Sequence, residues 1–206
     1  DANSIHTKKF CDFFKNKGEK DDQRMIAFID SSIKEFMENA EKQEWYNNTI
    51  FVFLGDHGRA LGQHISEMPL SYNHIPLIIY SPAFTDSPRI FNQPGGQVDV
   101  FPTIMGLLNK PYTNNTLGTD LLGNNIRPCM YFVSDNHLGC INNNYFYSYN
   151  LETKNEELFA YHDNKSPNII SEHTREKDSL KTYAMSMMIT GEYMTKNKLT
   201  QIAEHR

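Results

Sequence analysis

The chain has 206 residues, a formal net charge of -5 from 20 basic and 25 acidic residues, and a mean hydropathy of -0.59. A chain of this length can bury one good core, and the composition predicts a soluble, globular protein. The acidic balance argues against nucleic acid as a partner, and no apolar run approaches the roughly 18 residues needed to span a bilayer.

The first predicted element is an amphipathic helix over residues 22–43. Its apolar residues recur at spacings of three and four, as one face of a helix requires: Met25, Ile29, Ile33, Phe36 and Ala40. We expect this stripe to face the core. The chain begins with DANSIHTKKF, without an initiator Met or a signal peptide, and we expect it to belong to a longer protein whose N-terminal half precedes Asp1.

Two short apolar runs follow the helix, over residues 49–54 and 75–81. Both are rich in β-branched and aromatic residues, which predicts strands, and Pro82 ends the second one. Each run is apolar on both faces. This pattern is typical of central strands in a parallel sheet that helices cover on each side.

The second half of the chain predicts further elements. A helical repeat runs from Val98 to Leu108, with Asp99 as a candidate cap, and a loop covers residues 118–123. Residues 129–133 and 145–150 are predicted strands of an antiparallel edge, and residues 174–195 form a final helix. The order of elements predicts an α/β fold, a layered sheet with helices on both faces, plus a small antiparallel β appendage. We expect a layered domain over residues 1–125, with the appendage and last helix, residues 126–206, packed on it.

The three cysteines are Cys11, Cys129 and Cys140, and none forms a CxxC pair. A zinc-ribbon or thioredoxin-like site is therefore unsupported. The spacing permits a disulfide between Cys129 and Cys140, but we expect unpaired buried thiols.

Asp56 and His57 stand side by side directly after the first apolar run, between Gly55 and Gly58. Ligands of open α/β sheets bind beyond the carboxyl ends of the strands, and Asp oxygen and neutral His nitrogen are both good donors to Zn²⁺ or Mn²⁺. The two glycines allow a bend that aims both side chains at one point. The same dipeptide is also typical of an ordinary turn, in which Asp56 accepts hydrogen bonds from nearby backbone amides.

Other candidate site residues lie in the same half of the chain: His6, Arg59, His64 and His74. Each histidine alone is more simply, or just as simply, a surface or core side chain. His74, however, directly precedes the second apolar run. Together with Asp56 and His57, the imidazoles favour a site for a divalent metal and an anion. Arg59 is a candidate for holding that anion, and a solvated surface arginine is an equal alternative.

Three segments carry a family resemblance: NNTIFVFLGDHG, NHIPLIIYSP and GGQVDVFPTIMGLLN. In order and spacing they resemble the C-terminal half of the sulfatase-like branch of the alkaline phosphatase superfamily. The nearest type is the phosphoglycerol transferase of lipoteichoic-acid synthesis, with arylsulfatases and phosphoethanolamine transferases as relatives. The similarity is strongest over residues 22–123.

The resemblance implies roles for individual residues. Asp56 and His57 match the metal-ligand pair of the family, with a divalent metal as cofactor (Mn, Zn, Mg or Ca). His74 would act as a catalytic residue that neutralises oxygens or protonates the leaving group. His6 matches a histidine that helps to bind the substrate headgroup. Arg59 and His64 would also contact the substrate, a sulfate or phosphate ester on a lipid headgroup or glycan.

Nothing in the sequence matches the Thr, Ser or modified Cys nucleophile of the family, or its upstream acidic metal ligand. The resemblance therefore implies part of an enzyme of the cell envelope, inactive by itself. The alternative is a non-catalytic binding or structural module that retains the sulfatase-like scaffold.

Overall fold

The computed structural model divides the chain into two compact units. The first comprises the residues up to Leu54 together with Leu77–Pro88, and the second comprises Gly55–Pro76 and Arg89–Arg206. The structure describes residues 21–59, 66, 68, 70–85, 87–124, 127–162 and 166–201, with side chains from residue 25 onward.

The first unit contains one long helix and a two-stranded sheet. Helix α1 spans Asp21–Ala40, which confirms the predicted helix, and a 3₁₀ turn over Tyr46–Asn48 leads into the sheet. The strands are β1, Phe51–Leu54, and β2, Leu77–Tyr80, each shorter than the run that predicted it.

Strands β1 and β2 are antiparallel, so the prediction of a parallel sheet is wrong for this pair. Phe51 pairs with Tyr80, and Leu54 pairs with Leu77. The register brings the end of β1 beside the start of β2. Apolar residues on both faces therefore do not identify parallel pairing here, because this antiparallel pair carries the same pattern.

The apolar stripe of α1 is exposed, so the prediction that it faces the core is wrong for four of its five residues. Met25, Ile29, Ile33 and Phe36 are between 38% and 51% exposed, and only Ala40 is buried. The spacing that forms a helix is present, but the described residues do not cover the stripe. Exposed apolar side chains also lie on the sheet, at Val52, Leu54, Ile78 and Tyr80.

The second unit is built around a four-stranded antiparallel meander. Its strand order is β3-β4-β5-β6, and the bounds are Met130–Ser134, His137–Ile141, Phe146–Asn150 and Glu156–Phe159. Helices α2 (Leu70–Asn73) and α3 (Val100–Leu107) precede the meander, with a 3₁₀ turn over Gln97–Asp99, and helix α4 (Thr174–Lys196) follows it.

The best-packed core lies between this sheet and α4. Leu138, Tyr147 and Leu158 are completely buried on one face of the sheet, and α4 packs Leu180 and Ala184 against them. This confirms the predicted final helix and the antiparallel β appendage, which has four strands rather than two. With helices and sheets combined, the predicted α/β class is confirmed.

Cys129 and Cys140 are buried free thiols, which confirms the expectation for these two residues. Cys11 lies outside the described residues. The division into residues 1–125 and 126–206 remains our proposal for the domain organisation.

Among the helices that the structure describes, none is both long enough and apolar enough to cross a membrane.

Candidate metal centre

The candidate site is the loop that begins where β1 ends. Asp56 and His57 follow Leu54 after one glycine, and their side chains are 92% and 54% exposed. The backbone N–H of His57 donates to Asp56 Oδ1 at 2.9 Å. This bond is the chief cause that lowers the pKa of Asp56, with a smaller electrostatic contribution from the His57 ring. Asp56 is therefore an ionised carboxylate at neutral pH.

The His57 ring is held in a defined tautomer. Nδ1 lies 2.7 Å from the carbonyl oxygen of Gly58, which can only accept, so Nδ1 carries the proton and donates it. In the neutral ring, Nε2 then has a free lone pair, as a metal ligand requires. The ring also stacks on Tyr72, with centroids 4.7 Å apart and an angle of 18° between the planes. The stack fixes the direction in which Nε2 points.

Gly58 joins the loop to α2 by backbone contact. Its N–H donates to Tyr72 O at 2.7 Å. A Cβ at this position would collide with the carbonyl oxygen of Ser71 and lie 3.0 Å from that of His74. Only glycine permits this approach, so the second glycine of the sequence motif serves close packing as well as turning.

Gln97 holds the other side of the loop, and sequence reasoning missed it. Its Nε2 donates to Gly55 O at 3.1 Å and to Asp56 O at 3.2 Å. The turn that carries Gln97 ends at Asp99.

Asp99 is completely buried and fixes that turn from inside. Its carboxylate accepts backbone N–H groups of Gly96 at 2.8 Å and Thr119 at 2.7 Å, and it forms an ion pair with buried Arg127. A buried charge with this many partners is satisfied. Asp99, which the sequence predicted as a helix cap, thus connects the turn to the loop after α3 and to Arg127.

The donors at the loop suit a divalent cation. Asp56 Oδ2 and His57 Nε2 are 3.9 Å apart. This separation is wider than the roughly 3.4 Å between two tetrahedral ligands at about 2.1 Å from one ion, but within the roughly 4.2 Å that two ligands on opposite sides of it can span. One is a carboxylate oxygen and the other an imidazole nitrogen, and Zn²⁺ and Mn²⁺ accept both types of ligand. Within the described part of the chain, no group of three or more His, Cys, Asp or Glu residues converges on a metal position. In that part of the chain, the loop therefore offers two candidate ligands, Asp56 and His57.

The other predicted site residues have different placements. His74 directly follows α2, its carbonyl faces Gly58, and its side chain is exposed, as is Arg59. His74 and Arg59 belong to the same unit as Asp56 and His57, and His74 lies with those two in its segment of residues 55–76, as does Arg59. His6 and His64 fall outside the described residues.

Comparison of the sequence with known proteins identifies the family of this chain. A family model named Sulfatase matches residues 6–110, just over half of the chain. The chain is 29% identical over 140 residues to Lipoteichoic acid synthase-like YvgJ of Bacillus subtilis (strain 168), covering 61% of this chain and 22% of that protein. It is 28% identical over 102 residues to Arylsulfatase K of Danio rerio, covering 48% of this chain and 19% of that protein.

A solved structure shares the fold. A protein in the alkaline phosphatase superfamily from Vibrio parahaemolyticus matches with a TM-score of 0.71 at 16% identity, over 98% of this chain and 49% of that one. The chain spans about a fifth of the length of the curated relatives it matches. Because the family model covers half of its residues, the chain belongs to the sulfatase family.

Proposed function

We propose that this chain forms part of a metal-dependent enzyme that cleaves or transfers sulfate or phosphate esters, with Asp56 and His57 as metal ligands. One observation carries the proposal. An ionised carboxylate and a free imidazole nitrogen, 3.9 Å apart, are presented on an exposed loop whose backbone is held on two sides.

A divalent metal bound there would lower the pKa of an attacking hydroxyl group and stabilise negative charge at the phosphorus or sulfur centre. The chain's own residues prepare the site for it. The Gly58 carbonyl keeps the proton of His57 on Nδ1, and the His57 N–H keeps Asp56 ionised. Metal binding requires an ionised carboxylate and a neutral imidazole, and in the neutral ring these contacts leave Nε2 as the ligand atom.

His74 is our candidate for a catalytic residue that neutralises ester oxygens or donates a proton to the leaving group. Arg59 would bind the anionic part of the substrate, because an exposed guanidinium suits sulfate and phosphate oxygens. We also keep His6 and His64 as candidate substrate-binding residues.

In this proposal the nucleophile and the remaining metal ligands lie on polypeptide beyond these residues, and the covalent intermediate forms there. Two facts support the proposal: no group of three or more candidate ligands occurs among the described residues, and the relatives are far longer than this chain. The names of those relatives favour a sulfate ester or a lipid or glycan phosphate as substrate. By the same resemblance, we propose a location at the cell envelope.

The metal site is tested by Mn²⁺-induced broadening of NMR signals in the purified chain. We expect broadening around residues 55–58, and we expect Asp56→Asn and His57→Ala each to weaken Mn²⁺ binding by about tenfold or more. The matched control is His173→Ala, because His173 and Glu176 form a similar pair, 3.8 Å apart, away from the loop. If Asp56→Asn and His173→Ala bind Mn²⁺ equally well, the proposed site is wrong.

The proposal that the nucleophile lies outside this chain is tested by ester hydrolysis. The purified chain, supplied with Mn²⁺, is incubated with p-nitrophenyl sulfate and with p-nitrophenyl phosphate. We expect no turnover above buffer, because the nucleophile is elsewhere. Turnover that disappears in Asp56→Ala would contradict this and place the nucleophile within these residues.

A further inference from the structure

We infer that Gln97 is a positioning residue that sets the geometry of the metal-ligand loop through the loop's backbone. This inference rests on the proposed function of Asp56 and His57. Gln97 touches neither ligand side chain; its carboxamide donates to the two successive carbonyl oxygens of Gly55 and Asp56. A side-chain amide nitrogen has two hydrogens, so one Gln97 side chain can make both bonds at once.

The peptide plane explains how these bonds reach the ligands. The carbonyl of Asp56 and the N–H of His57 belong to one rigid planar unit and point in opposite directions. When Gln97 holds Asp56 O, the N–H of His57 is turned away from Gln97, where it donates to Asp56 Oδ1. Gln97 therefore controls the orientation of the Asp56 carboxylate without touching it.

Gln97 can do this because its own turn is fixed. Two residues further along, Asp99 is buried and bonded to Gly96, Thr119 and Arg127. The turn cannot rotate unless the Asp99 carboxylate leaves its partners. The chain of contacts thus runs from a buried ion pair through a rigid turn to an exposed loop, and it gives that loop a fixed geometry before metal binds.

The test compares Gln97→Met with wild type in the purified chain. Methionine keeps the length of the side chain and removes both donors. We expect faster hydrogen exchange at the His57 and Gly58 amides, and about tenfold weaker Mn²⁺ binding, in the range typical of residues that orient metal ligands. We expect the melting temperature to shift by no more than about 2–4 °C.

The matched control is Gln93→Met. Gln93 makes the same kind of bond, from Nε2 to Leu121 O at 3.1 Å, in another loop. It should leave exchange at His57 and Gly58 and the Mn²⁺ affinity unchanged. If Gln97→Met leaves the two exchange rates at their wild-type values, or if Gln93→Met changes them as much, Gln97 does not position the loop.

The exchange measurement needs no metal, so it separates this inference from the proposed function. If Asp56→Asn leaves Mn²⁺ binding intact, the metal site is wrong, whereas faster exchange in Gln97→Met still shows that Gln97 holds the loop. If Asp56→Asn abolishes binding and Gln97→Met changes neither exchange nor affinity, the metal site stands and the positioning role is refuted.

Discussion

The two sheets of this protein have similar apolar sequences and different surroundings. In the meander, Tyr147 and Leu158 are completely buried in the cluster that includes α4, and Phe146 is completely buried in a second cluster with Met68 and Phe159. In the two-stranded sheet, Val52 and Ile78 are exposed. A hydrophobic pattern states what a segment is able to bury. It does not state that the covering partner is present.

The comparison is tested most strongly by making the same substitution in both regions. Phe146→Ala should lower the free energy of unfolding by about 3–5 kcal/mol, because it removes a completely buried ring. Phe36→Ala should cost about 1 kcal/mol, since Phe36 is half exposed and mainly loses an edge-on contact with Phe51, centroids 6.1 Å apart. Urea denaturation measures both, and equal losses would contradict the difference between the regions.

A smaller effect is expected at Tyr147, inside the meander. Burial, with a contribution from the nearby Glu156 carboxylate, raises the pKa of Tyr147 well above its usual value. The folded protein keeps the phenol neutral while the unfolded chain ionises it above about pH 10. This contribution to stability is therefore complete below about pH 10 and is lost as the pH rises further.

Tyr147→Phe should consequently show a shallower fall in stability between about pH 10 and 12, because the phenol that titrates on unfolding is gone. At neutral pH it should cost about 1 kcal/mol for the lost hydrogen bond to Glu156. Tyr193→Phe, at an exposed position on α4, is the control and should fall as steeply as wild type. Equal slopes in the two variants would refute the prediction.

The smallest effect is expected on the exposed stripe of α1. Ile29→Ser should change the free energy of unfolding by no more than about 0.5 kcal/mol, because the side chain is half exposed. It should also reduce fluorescence of the hydrophobic dye 1-anilinonaphthalene-8-sulfonate, whereas Lys34→Ser should not. A loss of several kcal/mol would show that the stripe is covered in solution.

Local sequence signals predicted the parts of the fold that depend on local spacing. The long helices α1 and α4 follow from apolar repeats, and β1 follows from a β-branched and aromatic run. The strands β4 and β6 were missed because His137 and Gly139 interrupt one and the paired glutamates Glu156 and Glu157 begin the other. The antiparallel direction of β1 and β2 was also not predicted, because the direction of pairing depends on which strand lies beside another in the fold.

The candidate site likewise has a part that the sequence indicates and a part that depends on tertiary contacts. Asp56 and His57 could be proposed from the sequence because two donors stand together after a strand, and their role as metal ligands stays a prediction. Gln97 was missed because glutamine is an ordinary surface residue, and its role depends on a contact with a residue 41 positions away. No spacing rule connects those positions; the hydrogen bonds of the Gln97 side chain do, and the buried Asp99 fixes the turn that carries it.

The close contact between Gly58 and α2 matters for protein engineering. The shape of the Asp56–His57 loop is encoded partly in Ser71, Tyr72 and His74, whose backbone or ring the loop touches. Moving only residues 55–58 into another scaffold would transfer Asp56 and His57, the proposed ligands, without the surface that shapes their loop. A transplant that also includes residues 70–74 and Gln97 is the smallest unit that carries the contacts described for the loop.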